Sequence, residues 1–333
     1  MTGQHSPVPH RLLTAVLTIV VPLLFAAGAV IWVLSFAAEL PDPVAVHWGA
    51  DGRPDGFGPW QSAIGMMILI ALLMCGLAAA IGIRSGRAAA TRRLAVFLGL
   101  WSGIALPWFI AGTLHLQRGL ADARQAPDVN PALWAGFAGA ALIAAVGALL
   151  VPGDARMPAA DAVPADAIRL RLSDSEAASW RRSVEIPGFH WIAGIGGVAT
   201  VVLAVLGLWR GMLWADLWAG TVGFLTVLLV ALGRWRVVVD HTGLTVSPLI
   251  SRPRTHVPLD EVVQAEVGSI SPLGDFGGWG YRVGREGTVG IVVRSGEALT
   301  VQRTGGRNLA ITVDDAATGA ALLNTLADRA RRR

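Results

Sequence analysis

The sequence has no lysine, one cysteine and one tyrosine, and only 15% of its 333 residues carry charge. Each shortage excludes something. Without lysine, all 27 basic residues are arginine; in so Ala- and Gly-rich a chain this reads as compositional bias and assigns no function. A lone cysteine, Cys75, excludes an intrachain disulfide framework and a cysteine-based zinc site. Charge this sparse, beside 53% hydrophobic residues, falls well below the quarter or so usual in soluble domains and indicates a membrane protein. A net charge of +4 invites a nucleic-acid partner, but the arginines sit in loops beside apolar runs. The bilayer is therefore the expected partner, and nucleic acid is not.

Catalytic signatures are also missing. There is no His-Glu-x-x-His, no Gly-x-Ser-x-Gly and no phosphate loop ending in Gly-Lys-Ser/Thr. None of the seven histidines is spaced i, i+4 on one helix. No enzyme activity, cofactor or metal is expected.

Long apolar runs are plentiful. Uncharged runs cover 12–38, 63–83, 94–114, 132–151 and 191–209, and a sixth, 212–233, holds one acid, Asp216. Each offers the roughly 20 residues that a helix needs to cross about 30 Å of hydrocarbon, so six transmembrane helices are expected. Arginines count ten on one side (11, 84, 87, 92, 93, 156, 169, 171, 181, 182) against four on the other (53, 118, 124, 210). That asymmetry places both termini in the cytoplasm of a multi-pass cell-membrane protein. Small pairs such as Gly136/Gly139, Ala193/Gly197 and Gly207/Gly211 permit close helix approach.

The chain divides into 1–84 with an outer loop at 39–61, a second helix pair at 85–151, a cytoplasmic linker at 152–189, a third pair at 190–233 and a cytoplasmic β domain at 234–333. The linker opens with a flexible Pro/Ala half. Ser173 or Asp174 then suits the cap of a short helix carrying Trp180. From Arg234, eight short Val/Ile/Thr-rich runs alternate with Gly, Pro and Asp turns, predicting about seven antiparallel strands. Asp314 and Asp315 open a final helix with Ala317, Ala320, Ala321, Leu323 and Leu326 along one stripe. In the Gly-rich loop 274–287, Gly277, Gly278, Trp279, Tyr281 and Arg282 read as a hairpin with both aromatics packed on the domain.

The outer stretch LPDPVAVHWGADGRPDGFGPW is crowded with turn-formers, which are expected to scaffold a folded outer surface whose contact residues are His47 and Trp48. Asp51 and Asp55 beside His47 would suit a cation, although Asp-Gly pairs are ordinary turn chemistry. Asp216, the intramembrane acid, is a functional candidate by default, but Arg210, Trp214 and Trp218 nearby suit pairing at the interface.

Leu40, Pro41, Val44, His47, Trp48, Gly52, Pro54, Asp55 and Gly56, directly after a first span, resemble a bacterial membrane family. Its domain of unknown function also forms the N-terminal part of SdpI-like toxin-immunity proteins. The resemblance covers about residues 12–84; beyond it LSDSEAASWRR resembles only the last part of the segment that follows in SdpI-like proteins, a departure from their pattern. The region 234–333 is similar to bacterial pleckstrin-homology-type (PH-like) domains. Together these imply a polytopic α-helical membrane protein whose β domain, capped by one helix, makes protein contacts. The expected function is that of a non-catalytic sensor, immunity or accessory component contacting another membrane or secreted protein or peptide. Transport of a small solute or ion, through a bundle containing Asp216, is the alternative.

Overall fold

The computed structural model describes residues 7–49, 52–173, 176–211, 213–248, 254–284 and 287–332, without some helical side chains, among them Trp214 and Asp216. Asp51 and Asp174 lie outside the described residues. Two separately compact units form, Val8–Asp154 and Ala155–Arg333.

The first unit is a helical bundle of α1 (Arg11–Glu39), α2 (Trp60–Arg84), α3 (Ala89–His115) and α4 (Asn130–Leu149). The helix α3 packs against each of the other three. Close approach is made at Gly99 and Gly103, where an added Cβ would sit 2.9 Å from the Ala78 side chain and 2.7 Å from Pro22. Gly136 and Gly139, expected to pack, face open space. Pro107 within α3 is buried, a position that membrane helices tolerate because neighbouring groups satisfy the freed carbonyl.

Both ends of this bundle are tied by hydrogen bonds. At one end Arg92, fully buried, donates to the carbonyls of Gly86 (2.8 Å) and Arg87 (2.9 Å) and to Pro152 (3.3 Å). Arg93 bonds the Val151 carbonyl, and Asp154 accepts from the Ala89 amide at 2.7 Å. At the other end Arg118 forks onto Glu39, and the Gly119 amide donates to the Glu39 carbonyl. Successive helices therefore run up and down.

The second unit is built on two sheets. Strands β3 (Trp180–Glu185), β4 (Arg234–Asp240), β5 (Gly243–Pro248) and β6 (Thr255–Pro258) form an antiparallel sheet in that order. The other holds β7 (Val262–Ile270), β8 (Gly280–Val283), β9 (Val289–Val292), β10 (Gly296–Arg303) and β11 (Leu309–Thr312) in the order β7-β10-β11-β9-β8. The pairing of β11 with β9 is parallel, a departure from the antiparallel expectation. All eight runs of 234–333 become strands. The final helix α8 (Ala316–Arg332) touches both sheets and buries Ala320, Leu323 and Leu326; a five-residue helix α7 (Pro272–Phe276) precedes β8.

Two features were not foreseen. The linker segment with Trp180 forms strand β3 instead of a capped helix, because Trp180 and Val184 alternate into the core while Arg181 and Ser183 point out. Between β3 and its partner β4 the chain inserts a helical hairpin, α5 (Phe189–Arg210) and α6 (Leu213–Leu232). At its base the Ile186 amide donates to the Gly233 carbonyl. In the hairpin Gly196 faces Thr226 and Gly223 faces Thr200, while the flanks expose Ile195, Val198, Val201, Val205 and Phe224.

Among the described residues four helices are long and apolar enough to cross a membrane: α1, α2, α3 and α5. The 20-residue helices α4 and α6 carry shorter described apolar stretches, 133–149 and 218–227.

Candidate contact surface on the outer hairpin and the strapped β domain

The loop after α1 folds into a two-stranded hairpin, β1 (Val44–Trp48) and β2 (Pro54–Gly58), with irregular register around His47. Turn chemistry explains the fold. Gly52 adopts φ +74°, and an added Cβ would stand 3.2 Å from the Asp128 carboxyl. Gly56 lies opposite His47, where a Cβ would sit 2.8 Å from the histidine's own.

What positions the hairpin is Gln117, fully buried just past α3. Its side-chain amide pairs with both backbone groups of buried Ala45: Oε1 accepts from the amide at 2.6 Å, and Nε2 donates to the carbonyl at 2.9 Å. A second donation reaches the Thr113 carbonyl. Val44 joins the core beneath with Val33, Phe36, Met67 and Leu114. Trp48 packs with Ala45, Ala123 and Ala126, and its indole donates to the Pro127 carbonyl at 3.1 Å. Nearby, Trp32 stacks on Trp108 and meets the His115 ring.

One polar pair stays outside. His47 Nδ1 meets Asp55 Oδ1 at 2.5 Å, with side chains 71% and 53% exposed. With Nδ1 engaged, the exposed ring has Nε2 left for a further contact. Among the described residues no group of three His, Cys, Asp or Glu could hold a metal. Of the nine motif positions, seven are backbone-shaping or packing residues. Trp48, expected beside His47 as a contact residue, is one of them, half-buried with its indole engaged, and the exposed polar pair is His47 with Asp55.

The β-unit candidates are dispersed. Gly277 (φ +66°) ends α7, and Gly278 (φ +146°) lies against the Arg282 guanidinium. Arg282 donates to the Trp279 carbonyl at 2.7 Å. Trp279 is 47% exposed, so it does not pack on the domain; Phe276 fills that core position with Ile270, Val292, Ala298 and Ala310. Tyr281 is half-buried on β8. Asp216 lies on α6, its side chain outside the described residues.

Sequence reasoning missed a charge cluster that holds the linker. Glu261, 2% exposed, is shared by Arg303 and Arg307. Its other oxygen accepts from the Met157 amide at 3.0 Å, and Arg307 donates to the Ala155 carbonyl. Further along, Arg169 pairs with Asp328, and buried Asn324 bonds the Ile168 carbonyl and both backbone groups of Ala265. The linker is thus strapped to the β domain. The one local signal was Asn324 within the apolar stripe of the final helix; Glu261 and Arg307 lie in turns, where a charged residue is unremarkable.

Burial, with Arg254 alongside, holds His256 below its usual pKa, and its Nδ1 lies 2.9 Å from the Thr245 hydroxyl. Hydrogen bonds from Thr318 and then Trp180 hold the Asp315 carboxyl below the ordinary carboxylate range.

Bundle, hairpin and apolar helices define a membrane-embedded protein with a C-terminal β unit closed by a helix. Residues 23–72, spanning most of α1, the β1–β2 hairpin and the first half of α2, match the family described as a domain of unknown function (DUF1648). No curated protein and no solved structure matches the chain.

Proposed function

We propose that the chain is a six-span protein with cytoplasmic termini, acting without catalysis as a sensor, immunity or accessory component whose outer hairpin contacts a membrane or secreted protein or peptide. The observation that carries this reading is the Gln117 clamp. It fixes a compact loop from below and leaves the His47–Asp55 pair facing solvent. Six spans follow if α4 and α6 cross like the others: at 20 residues and about 1.5 Å rise, each reaches about 30 Å. The bonded base of the α5–α6 hairpin requires an even number of crossings between Ile186 and Gly233, which keeps β3 and β4 on one side. Solute transport is less well supported. The described buried polar side chains of the bundle, such as Arg92 and Gln117, lie toward its ends, and its middle is lined by Ala71, Cys75, Leu100 and Ile104. The resemblance of the β unit to PH-like domains rests on two sheets and a closing helix; the parallel β9–β11 pair and the inserted hairpin depart from it.

Reporter fusions after Gly153 and Arg236 are expected to read cytoplasm, and one after Gln125 exterior; an exterior Arg236 fusion breaks the topology. A photoreactive residue at position 47 is expected to yield a discrete adduct with an extracytoplasmic protein or peptide. Adducts only with lipid would remove the contact reading.

A further inference from the structure

The sheet β3–β6 grows directly out of the α5–α6 hairpin, and its two faces differ. One face buries Trp180, Val184, Trp235, Val237, Val239, Leu244, Val246 and Val257. The other follows the register Arg181–Val238–Thr245–His256 on one line and Ser183–Arg236–Ser247 on the next. Arg181, Arg236 and Arg254 are exposed on it, and Arg254 donates to the Thr245 hydroxyl. Among the described residues none of these three guanidiniums is ion-paired, whereas Arg234 is matched by Glu185 and Arg182 by Asp315. Two acids lie on the face: Glu185, at the hairpin end, is matched by Arg234, and Asp240, at the far end, has its carboxylate taken by Thr242. His256, half-buried, adds no steady charge, since burial disfavours its protonation.

Position makes this charge meaningful. The rung Glu185–Arg234 adjoins the hairpin base at Ile186 and Gly233. With same-face residues about 7 Å apart along a strand, Arg236 stands about 7 Å and Arg181 about 13 Å beyond that rung. The Debye length in physiological salt is about 8 Å, so the nearer guanidinium lies just within one screening length of a membrane surface at the hairpin base. A face of unpaired, solvated arginines beginning at a membrane-crossing element complements anionic headgroups.

We propose that the outward face of the β3–β6 sheet docks on the anionic lipid headgroups of the bilayer that α5–α6 crosses, through Arg181, Arg236 and Arg254. The inference rests on the membrane hairpin proposed above. Each arginine near an anionic surface is worth about a fivefold change in the docked-to-free ratio, so three together convert a minor docked population into the dominant one. An acidic protein segment would also meet these charges, but it would not depend on bilayer composition.

The full-length chain, as Cys75→Ala with a spin label on Ser183→Cys, is placed in nanodiscs of phosphatidylcholine alone or with one-third phosphatidylglycerol. Identical leaflets make the result independent of orientation. Label accessibility to a water-soluble nickel chelate is expected to fall several-fold in the anionic discs and to recover in 1 M salt. The triple Arg→Gln variant at 181, 236 and 254 should stay accessible in both lipids, and the triple Arg→Lys variant should keep the protection. A label at Val201, exposed on α5, checks independently that the hairpin lies in lipid; failure there strikes the membrane reading and not the docking. Equal accessibility at Ser183 in both discs overturns the proposal. So does protection in neutral discs that survives Arg→Gln, which would mean protein covers the face.

Discussion

Gln117 in the helical unit and Asn324 in the β unit perform the same operation on different substrates. Each is fully buried, and each turns its side-chain amide on one alanine, pairing with both the backbone N–H and C=O: Ala45 for Gln117, Ala265 for Asn324. Among the described residues Gln117 supplies the buried side-chain hydrogen bonds that anchor the β1–β2 hairpin, and the polar pair above it faces water. The linker adds the Glu261–Arg303–Arg307 cluster, buried and charged, to its clamp. One region is held lightly and offers its chemistry outward. The other is held by groups whose separation is costly, so it suits fixed transmission between segments better than recognition.

The largest expected effect comes from Glu261. Glu261→Ala removes the carboxylate shared by two largely buried guanidiniums, and breaking such a cluster from one side costs about 3–5 kcal/mol. Thermal unfolding of the purified full chain should show the β unit melting early, and protease should reach the linker near Met157. If Glu261→Ala unfolds like the wild type, the cluster is not what holds the strap.

Next come the two clamps, which test whether the units are separable. Gln117→Ala and Asn324→Ala each leave buried backbone groups unsatisfied, costing about 2–3 kcal/mol. Gln117→Ala should raise hydrogen exchange in β1–β2 and leave β3–β11 unchanged; Asn324→Ala should do the reverse at β7 and Ile168. Loss of protection in both units from either change would make the comparison invalid.

The apolar runs and the β-rich C-terminal region were legible because each element carries its own period: long uncharged stretches for the helices, alternation such as Arg234–Asp240 for the strands. Strand β3 was not. Six residues preceded by a helix-like polar stretch give a weak local pattern, and their partner lies some 50 residues away across the inserted hairpin. The parallel β9–β11 pair was hidden for a different reason: both runs were legible as strands, but alternation does not fix which strands pair or in which direction, and β10 comes between them in the chain. Turn-formers 40–60 marked the outer loop, yet nothing local named Gln117, whose role depends on where the end of α3 meets Ala45. A glutamine next to an apolar run, followed at once by arginine, was the available clue.

A smaller effect concerns pH in the β unit. His256 titrates in the folded chain below its unfolded value of about 6.5, so the unfolded state binds more protons in between. Its contribution is complete above about pH 6.5 and is lost as pH falls through the depressed folded value. Asp315, also depressed, contributes above about pH 4 and loses that contribution further into acid. Unfolding of the β unit monitored by tryptophan fluorescence should become easier below pH 6.5, and His256→Gln should flatten that first decline while sparing the later one. A wild-type profile flat from pH 7 to 5 would remove His256 from the account.

The smallest expected change in stability belongs to His47, the proposed contact residue. His47 is exposed, its pairing with Asp55 is solvated, and such surface pairs contribute about 0–1 kcal/mol. His47→Ala should therefore leave the amount of protein in the membrane near that of the wild type. Gly52→Val is the contrasting change: it forces a β-branched residue to φ +74° and toward the Asp128 carboxyl, a strain of about 1–3 kcal/mol, and should lower abundance. If the hairpin is a contact surface, His47→Ala weakens the phenotype tied to the protein at normal abundance, whereas Gly52→Val weakens it in proportion to the protein lost. Equal loss of abundance in the two variants would make His47 part of the scaffold, and the light, outward-facing hairpin would then be a second strap like the one around Glu261.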